Sequence, residues 1–362
     1  MTTILEEAAC TTVHAPPAPR VMYFQRKPYG TRFSLERVFD AIRAALPSGM
    51  VVAAWTCRFK SRGVAGRLLN LLEAPFHQGD INHITGDVHY LALGLAKRKT
   101  ILTIPDCVLP RSLKGLKYLA IVMCWYRFPA RRVAAITVIS EFTRKEVLRY
   151  TGCAPELVRV IHCPVPDGFT PYPKPFHREM PVLLQVGAAE HNKNICRVAE
   201  AIRGIPCRLD IIGRLTDRQR QALEHNSISH TEQWGLADQE VIQRYRDCDM
   251  VVFASTYEGF GMPILEGNAT GRPVVTSNVC SMPEIAGSAA CLVDPFDCSS
   301  IREGILRVIN DPDYRNNLIA QGFENVKRFR ADIIAAQYAA LYREVLSRRS
   351  ANERSRTLEI CS

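Results

Sequence analysis

The chain has 362 residues, 47% of them hydrophobic and 23% charged, which is typical of a soluble globular protein long enough for two domains. Its net charge of +10 favours a phosphorylated substrate or an anionic lipid surface as partner, since no nucleic-acid recognition motif is present. No apolar run reaches the ~20 residues that span a bilayer. The start of the chain lacks signal-peptide features, and thirteen cysteines without paired spacing favour a reducing cytosol, so we expect a cytoplasmic protein without a metal site.

Residues 1–20 contain three prolines and no hydrophobic period, and we predict that they are disordered. Residues 21–165 alternate short apolar segments with helical stretches, which predicts strands at 21–24, 50–55, 80–84, 100–104, 134–140 and 158–162. The segment 166–180 is too rich in proline for a helix or central strand and is typical of an inter-domain linker. Residues 181–330 repeat the alternation, with strands predicted at 182–187, 208–213, 250–255, 273–277 and 291–294.

The last predicted helix, 331–346, has an apolar face that would pack back on the first domain, and residues 347–362 form a basic tail. Strands that alternate with helices predict an α/β fold of two doubly wound, Rossmann-like domains that face each other across a cleft. Ligands in such folds lie beyond the carboxyl ends of the strands. The loops after the strands at 182–187, 208–213 and 250–255 are therefore expected to share one rim.

The stretch YEGFGMPILEGNATGRPVVTSN, residues 257–278, predicts a glycine turn between a buried strand and a helix. Such a turn directs backbone N–H groups and the positive end of the helix toward a bound phosphate. Glu258 at this position could equally be only a partner of the helix dipole. Ile264 stands where a dinucleotide fingerprint requires its third glycine, and no P-loop motif occurs, so neither chemistry is supported.

The spacing from Glu258 to Glu266, with seven residues between them, resembles the donor-site signature of retaining glycosyltransferases of family 4, which have the GT-B fold. The resemblance extends through SMPEIAG (281–287), LVDP (292–295), VGAAEHNKN (186–194) and ITVISEFTRKEVLRYTG (136–152), and covers most of residues 21–346. It implies a hexosyltransferase-like enzyme of polysaccharide biosynthesis. The donor would be a nucleotide-diphosphate sugar, with no cofactor and no metal.

The resemblance also assigns roles to single residues. Glu266 would accept hydrogen bonds from the ribose hydroxyls, Lys193 would neutralise the departing diphosphate, and Glu258 would contact the sugar. Retention is then attributed to attack on the face that the phosphate leaves, so no enzyme nucleophile is required. The implied donor-binding residues are Gly187, Lys193, Arg214, Gly259, Phe260, Gly261, Met262 and Glu266.

Two departures from the family pattern bear on catalysis. Many relatives have T-I-H-D where this chain has LTIPDC, so Pro105 occupies the histidine position while Asp106 remains. We expect Asp106 to be catalytic together with His83, which with Asp87 is the proposed substitute for the missing histidine. The family arginine of the VG loop is also absent, and Arg214 is the expected compensation.

The sequence gives fewer indications of the residues that bind the acceptor. Gly30 lies in a loop that lines the cleft in relatives, although it could simply connect a strand to a helix. Residues 111–132 form an apolar stretch with basic flanks, which suits either an interfacial helix on an anionic membrane or a core helix with solvated ends. The first interpretation makes the protein peripheral to the membrane and its acceptor a lipid-linked saccharide.

Two other functions fit the same residues. A nucleotide-sugar hydrolase or epimerase of the same fold would turn over the donor without a saccharide acceptor. A non-catalytic nucleotide-sugar-binding protein would bind the donor and never consume it, which the proline at 105 and the missing arginine favour. The sequence predicts a glycosyltransferase that acts on a saccharide or lipid-linked acceptor.

Overall fold

The computed structural model describes residues 18–27, 34–61, 63–111 and 113–361, which form two sheets of six parallel strands. The strands of the first sheet, in chain order, are β1 (Arg20–Gln25), β2 (Val51–Thr56), β3 (Ile81–Ile84), β4 (Thr100–Ile104), β5 (Ala135–Val138) and β6 (Val158–Val160). Those of the second are β7 (Val182–Val186), β8 (Arg208–Ile212), β9 (His230–Gln233), β10 (Met250–Phe253), β11 (Val274–Ser277) and β12 (Cys291–Val293). The predicted α/β architecture is confirmed.

The spatial order of the strands locates the ligand-binding edge of each sheet. The first sheet runs β2-β1-β3-β4-β5-β6 and the second β12-β11-β10-β7-β8-β9. The second order is that of a Rossmann domain, in which the direction of winding reverses between the first and fourth strands of the unit, here β7 and β10. Ligands bind beyond the carboxyl ends of the strands at such a reversal.

Helices lie between the parallel strands along the chain, and three more follow the last strand. They are α1 (Ser34–Ala45), α2 (Val64–Glu73), α3 (Val108–Arg111), α4 (Gly115–Ile121), α5 (Phe128–Ala130), α6 (Glu141–Thr151), α7 (Ile195–Ala201), α8 (Asp217–His225), α9 (Asp238–Asp247), α10 (Met262–Thr270), α11 (Met282–Ala286), α12 (Cys298–Asn310), α13 (Pro312–Val326) and α14 (Ala331–Cys361). A π-helical turn, Val122–Arg127, joins α4 to α5. None of the helices in the described ranges is long and apolar enough to cross a membrane.

The first sheet is buried on both faces, as its apolar strands predict. Along β1, Val21 and Tyr23 face one hydrophobic cluster, while Met22 and Phe24 face the other. The face with Val21 is covered by α1 and by α14, and Ile334, Ala335 and Tyr342 of α14 are fully enclosed there. The last helix of the chain therefore packs on the first sheet, after the chain has completed the second.

The chain consequently crosses between the two sheets twice. The first crossing follows β6 and the second precedes α14, and the two run side by side where the Val165 N–H donates to the Phe329 carbonyl over 2.9 Å. The proline-rich segment is anchored to the second sheet, since Lys174 forms an ion pair of 2.9 Å with the buried Asp249. Arg272 holds the same segment by donating to the Tyr172 carbonyl over 2.9 Å.

Some elements differ from the predictions. β9 was not predicted, because its sequence HTEQ has no apolar run. The final helix does not end at 346 but continues to Cys361, and β1 begins at Arg20. Of residues 1–20, which were predicted to be disordered, 1–17 lie outside the described residues, as does Gly30 with its predicted role, whereas Arg20 belongs to β1.

Candidate functional site

Two loops meet at the carboxyl ends of β7 and β10. Gly187 directly follows β7 with φ +84°, and a Cβ built on it would lie 2.6 Å from Cε of Lys193. The positive φ favours glycine here, and without a Cβ the Lys193 side chain passes close over the backbone. The amine reaches back toward β10 and lies 5.1 Å from the ring centroid of Phe253. The local sequence thus places one cation at the reversal of the second sheet.

Lys193 is paired with the first glutamate of the predicted signature. Its Nζ lies 2.7 Å from Oε1 of Glu258, and both side chains are largely buried. Asn192 donates to the same oxygen over 3.3 Å and to the Tyr257 carbonyl over 2.8 Å. The two predicted site residues neutralise each other here. An anionic ligand could displace the carboxylate from the amine and leave it to accept hydrogen bonds from hydroxyl groups.

Glu266, in the second turn of α10, occupies a different environment. Burial raises the pKa of its carboxyl to about 7, although the hydrogen bond from Tyr245 and the positive charge of Lys193 act in the opposite direction. The Tyr245 hydroxyl donates to Oε2 of Glu266. A carboxyl whose pKa lies near neutral pH can accept hydrogen bonds from hydroxyl groups once it is ionised. Its charge state is therefore sensitive to a bound ligand.

Serine hydroxyl groups hold the glycine turn between these glutamates by donating hydrogen bonds to its carbonyl groups. Ser281 donates to the carbonyls of Glu258 and Phe260 over 2.9 and 2.7 Å, and Ser140 of the first sheet's domain donates to that of Gly259 over 2.7 Å. Gly261 is the N-cap of α10 with φ +114° and provides no side-chain cap. The first N–H groups of this helix therefore remain without a side-chain acceptor from the cap, as an anion site requires.

The opposite wall of the cleft is formed by the segment after β4. A Cβ built on Gly259 would lie 2.6 Å from the Pro105 carbonyl oxygen and 3.0 Å from Cβ of Asp106, so the two walls touch at this glycine. Burial, with smaller contributions from neighbouring carboxylates that include Glu258, raises the pKa of Asp106 to about 6. Asp106 accepts a hydrogen bond of 3.0 Å from the Val108 N–H. The structure therefore brings Asp106 beside the turn that carries Glu258.

The expectation that His83 is catalytic is wrong. His83 lies within β3 and is fully buried, with its ring nitrogens 2.8 Å from the hydroxyls of Tyr342 and Thr103. Burial lowers its pKa to about 3. The side chain points to the α14 face of the sheet and serves its core.

Two further expectations concern the rim. Asp87 is half exposed, and its carboxylate lies 3.1 Å from the Arg26 guanidinium. Arg214 is exposed after β8, with its guanidinium 5.9 Å from the ring centroid of Trp234. In the described part of the chain, Arg214 does not belong to the hydrogen-bonded cluster of Lys193, Asn192 and Glu258.

Sequence reasoning missed Tyr257 and Glu146, which join the walls of the cleft. The Tyr257 hydroxyl donates to Oε2 of Glu146 over 2.6 Å and accepts from the Cys107 N–H over 3.3 Å. Arg111 stacks on the Tyr257 ring at 4.4 Å and pairs with Glu146 at 3.3 Å. Because Tyr257 directly precedes Glu258, this network positions the glutamate. A tyrosine in the signature was the only sequence signal.

Glu284 was also missed, although it lies in the quoted motif SMPEIAG. It stands in α11 of the second domain and accepts hydrogen bonds from the Glu141 N–H at the start of α6 and from His162 over 3.0 Å. Burial alone would raise its pKa, but the hydrogen bonds from His162 and Glu141 outweigh this and hold the pKa below its usual range. Its partners are more than a hundred positions away, so no local pattern reveals the contact.

The family model described as "Glycosyl transferases group 1" matches residues 173–325. Among similar proteins, the O-antigen chain mannosyltransferase B of Escherichia coli is 27% identical over 221 residues, which is 54% of this chain and 56% of that protein. The MMP alpha-(1->4)-mannosyltransferase of Mycolicibacterium hassiacum is 24% identical over 247 residues, covering 63% of this chain and 60% of that protein. The chain thus spans little more than half the length of these relatives.

Solved structures share the fold across nearly the whole chain. The sucrose-phosphate synthase of Thermosynechococcus elongatus superposes with a TM-score of 0.72 at 17% identity, covering 91% of this chain and 99% of that one. HepE of Anabaena, in a complex with UDP-glucose, gives a TM-score of 0.70 at 17% identity, covering 90% and 100%. The arrangement of the two sheets is therefore GT-B.

Proposed function

We propose that the chain, whose residues 173–325 match the glycosyl transferases group 1 model, transfers a sugar from a nucleotide-diphosphate sugar to a saccharide or lipid-linked acceptor, with retention of anomeric configuration. The observation that carries this proposal is the ion pair of Lys193 and Glu258 at the reversal between β7 and β10. The pair places a cation where a diphosphate would bind and a carboxylate where a sugar would follow.

Donor binding would rearrange this pair. The diphosphate takes the amine of Lys193 and the N–H groups at the start of α10, which is a charge-assisted arrangement. Glu266 accepts the ribose hydroxyls beside Tyr245, and Glu258, released from the lysine, accepts hydroxyls of the sugar. We propose that these protein groups supply the positive charge that the departing diphosphate requires.

In the transfer step, the bond between the anomeric carbon and the phosphate oxygen breaks, and the acceptor hydroxyl oxygen bonds to the same carbon from the same face. The hydroxyl proton passes to the departing phosphate oxygen, so the charges balance without an enzyme nucleophile. Lys193 stabilises the negative charge that grows on the diphosphate. Asp106, with its pKa raised to about 6, contacts the acceptor side of the reacting sugar.

The relatives named above as mannosyltransferases make a mannosyl donor the first candidate, and the UDP-glucose complex of HepE makes a glucosyl donor the second. The test is a thermal-shift screen of the purified chain against UDP-, GDP-, ADP- and TDP-sugars, followed by product analysis with saccharide and lipid-linked acceptors. We expect one nucleotide class to stabilise the protein and the sugar to appear on an acceptor with its anomeric configuration kept. An inverted product would reject the retaining mechanism.

One observation favours a second candidate, a non-catalytic nucleotide-sugar-binding protein. Pro105 stands at the family histidine position with its carbonyl 3.4 Å from the Thr143 hydroxyl, and the sequence-predicted substitute His83 is enclosed in the core. Donor binding without turnover would identify this candidate. Turnover of the free donor by water alone would instead identify a hydrolase.

A further inference from the structure

Helix α2 presents most of its large apolar residues to solvent and the polar Asn70 to the core. Its buried residue is Asn70, whose side chain bonds both the N–H and the carbonyl of Phe59 at 3.0 Å and the Tyr90 hydroxyl at 3.1 Å. Val64, Leu68 and Leu72, spaced four residues apart on the outer face, are exposed by 73%, 52% and 68%. This orientation is opposite to that of an ordinary surface helix.

The exposed apolar face continues beyond α2. Phe76, in the next turn, is 85% exposed, and so is Leu116 of α4. The described side chains of α4 all lie toward solvent or are half-buried, although its sequence GLKYLAI is mostly apolar. Soluble monomers rarely expose so many large apolar side chains in one region, and such patches mark interaction sites.

Helix α2 lies beside the turn that continues α4. Arg67 of α2 stacks on the Trp125 ring at 4.9 Å, and Trp125 belongs to the π-helical turn that continues α4. Tyr90, which holds Asn70, packs against the same tryptophan at a centroid distance of 5.8 Å. We call the outer sides of α2, Phe76 and α4 the basic–apolar face.

The charges of this face are predominantly positive. Residues 108–132 contain six basic residues and no acidic one, and residues 58–73 contain four basic residues and one acidic residue, Glu73 at the end of α2. Lys60, Lys114 and Lys117 are exposed among the apolar side chains. Apolar side chains that insert at the acyl boundary, with lysines and arginines at headgroup level, match an anionic bilayer.

We infer that the basic–apolar face docks the protein on an anionic lipid bilayer. A second copy of this chain fits less well, because a two-fold contact through this face would oppose two sets of basic side chains, with Glu73 as the one acidic residue of α2 to offset them. Arg111, which contacts Tyr257 in the cleft, lies four positions before α4 begins at Gly115. Docking therefore brings the first-domain wall of the cleft close to the lipid headgroups. Where the proposed transfer holds, this places a lipid-linked acceptor within reach.

The test is co-sedimentation of the full chain with vesicles of phosphatidylcholine, with and without phosphatidylglycerol, at low and high salt. We expect binding only with the anionic lipid, weakened by salt. The double variant Phe76→Ser/Leu116→Ser should reduce partitioning by more than about tenfold, because two large apolar side chains no longer insert. Its matched control is Met180→Ser/Leu292→Ser, which removes exposed apolar side chains elsewhere and should bind as the wild type does.

The charge is tested separately. Lys114→Glu/Lys117→Glu should weaken binding by about tenfold or more, at roughly 1 kcal/mol for each juxtamembrane lysine. Arg203→Glu/Arg218→Glu, the same charge change on exposed residues of the second domain, should have a much smaller effect. Unchanged melting temperatures would establish that all variants are folded.

Three outcomes would overturn the inference. The wild type could bind neutral and anionic vesicles equally, or not at all. The control pairs could reduce binding as much as the variants of the face do. Finally, analytical ultracentrifugation could show a dimer that Phe76→Ser/Leu116→Ser dissociates, which would assign the face to a second copy. None of these measurements depends on turnover, so the inference can fail while the proposed transfer stands, and the reverse.

Discussion

Both carboxylate oxygens of Glu284 in the second domain lie 2.9 Å from the backbone nitrogen of Glu141 in the first. Glu141 is the first residue of α6, so the carboxylate meets the positive end of a helix that belongs to the opposite wall of the cleft. The Glu284 side chain therefore stabilises the observed approach of the two domains as well as the helix itself.

We expect Glu284→Ala to lower the free energy of unfolding by about 1–2 kcal/mol, as loss of a helix cap does, and to widen the cleft. Thermal unfolding and small-angle scattering measure the two effects. The folded-state pKa of Glu284 is depressed, so its contribution is full above the unfolded value of 4.5 and is lost as pH falls through the folded pKa. Wild type and variant should therefore converge in stability on acidification. The exposed Glu303→Ala is the control, and a variant no less stable than this control would contradict the cap.

Glu266→Ala is expected to weaken nucleotide binding by at least about tenfold, the scale of a lost charge-assisted hydrogen bond, as measured by calorimetry. The pKa of Glu266 is raised to about 7, and in the proposed donor complex it is the ionised form that accepts the ribose hydroxyls, so wild-type affinity should increase as pH rises through 7. The stability effect has the opposite sign. The neutral carboxyl is favoured in the folded state, and its contribution is lost as pH rises through the same value.

The exposed Glu224→Ala serves as the matched control for this measurement. Nucleotide affinity that is unchanged in Glu266→Ala, or independent of pH between 6 and 8 in the wild type (on the order of one unit either side of the raised pKa), would remove Glu266 from the donor site.

Lys193→Ala and Glu258→Gln should behave differently although the two residues are paired. In the proposed donor complex, Lys193→Ala would remove a contact to the diphosphate worth about 1.5–3 kcal/mol. It also leaves the largely buried Glu258 carboxylate without its cation, so both affinity and stability should decrease. Glu258→Gln should mainly lower the rate. The double variant should recover part of the stability lost by Lys193→Ala, because the unpaired charge is gone. Additive losses of stability would show that the pair does not act as a unit.

Pro105→His tests whether the missing family histidine limits turnover. If a sugar contact is lost at this position, the variant should turn over donor faster, with little change in nucleotide affinity, in steady-state kinetics. Pro105 is buried against Gly259, so the melting temperature must be compared with that of Pro105→Ala. A rate equal to that of Pro105→Ala would mean that the cleft works without an imidazole there.

The fold was predictable because its strands are apolar runs and its turns are marked by glycine. The shared rim of Lys193, Glu258 and Glu266 followed from the rule that strands of a parallel sheet end at one edge. β9 was not predicted, because an edge strand such as HTEQ needs no apolar run. His83 was misjudged because the residue that encloses it, Tyr342, lies 259 positions along the chain. Contacts between residues so far apart in the sequence depend on how α14 packs back on the first sheet, and no local sequence pattern predicts that packing.

Because α14 packs back on the first sheet, two segments of the chain connect the two domains. Two chain segments run side by side at Val165 and Phe329, so the domains are connected by two adjacent segments and not by a single linker. Two adjacent segments of this kind can bend together more readily than they can twist around each other. We therefore expect any opening of the cleft to follow one direction, which would keep the walls that carry Asp106 and Glu258 in the same register when the cleft closes.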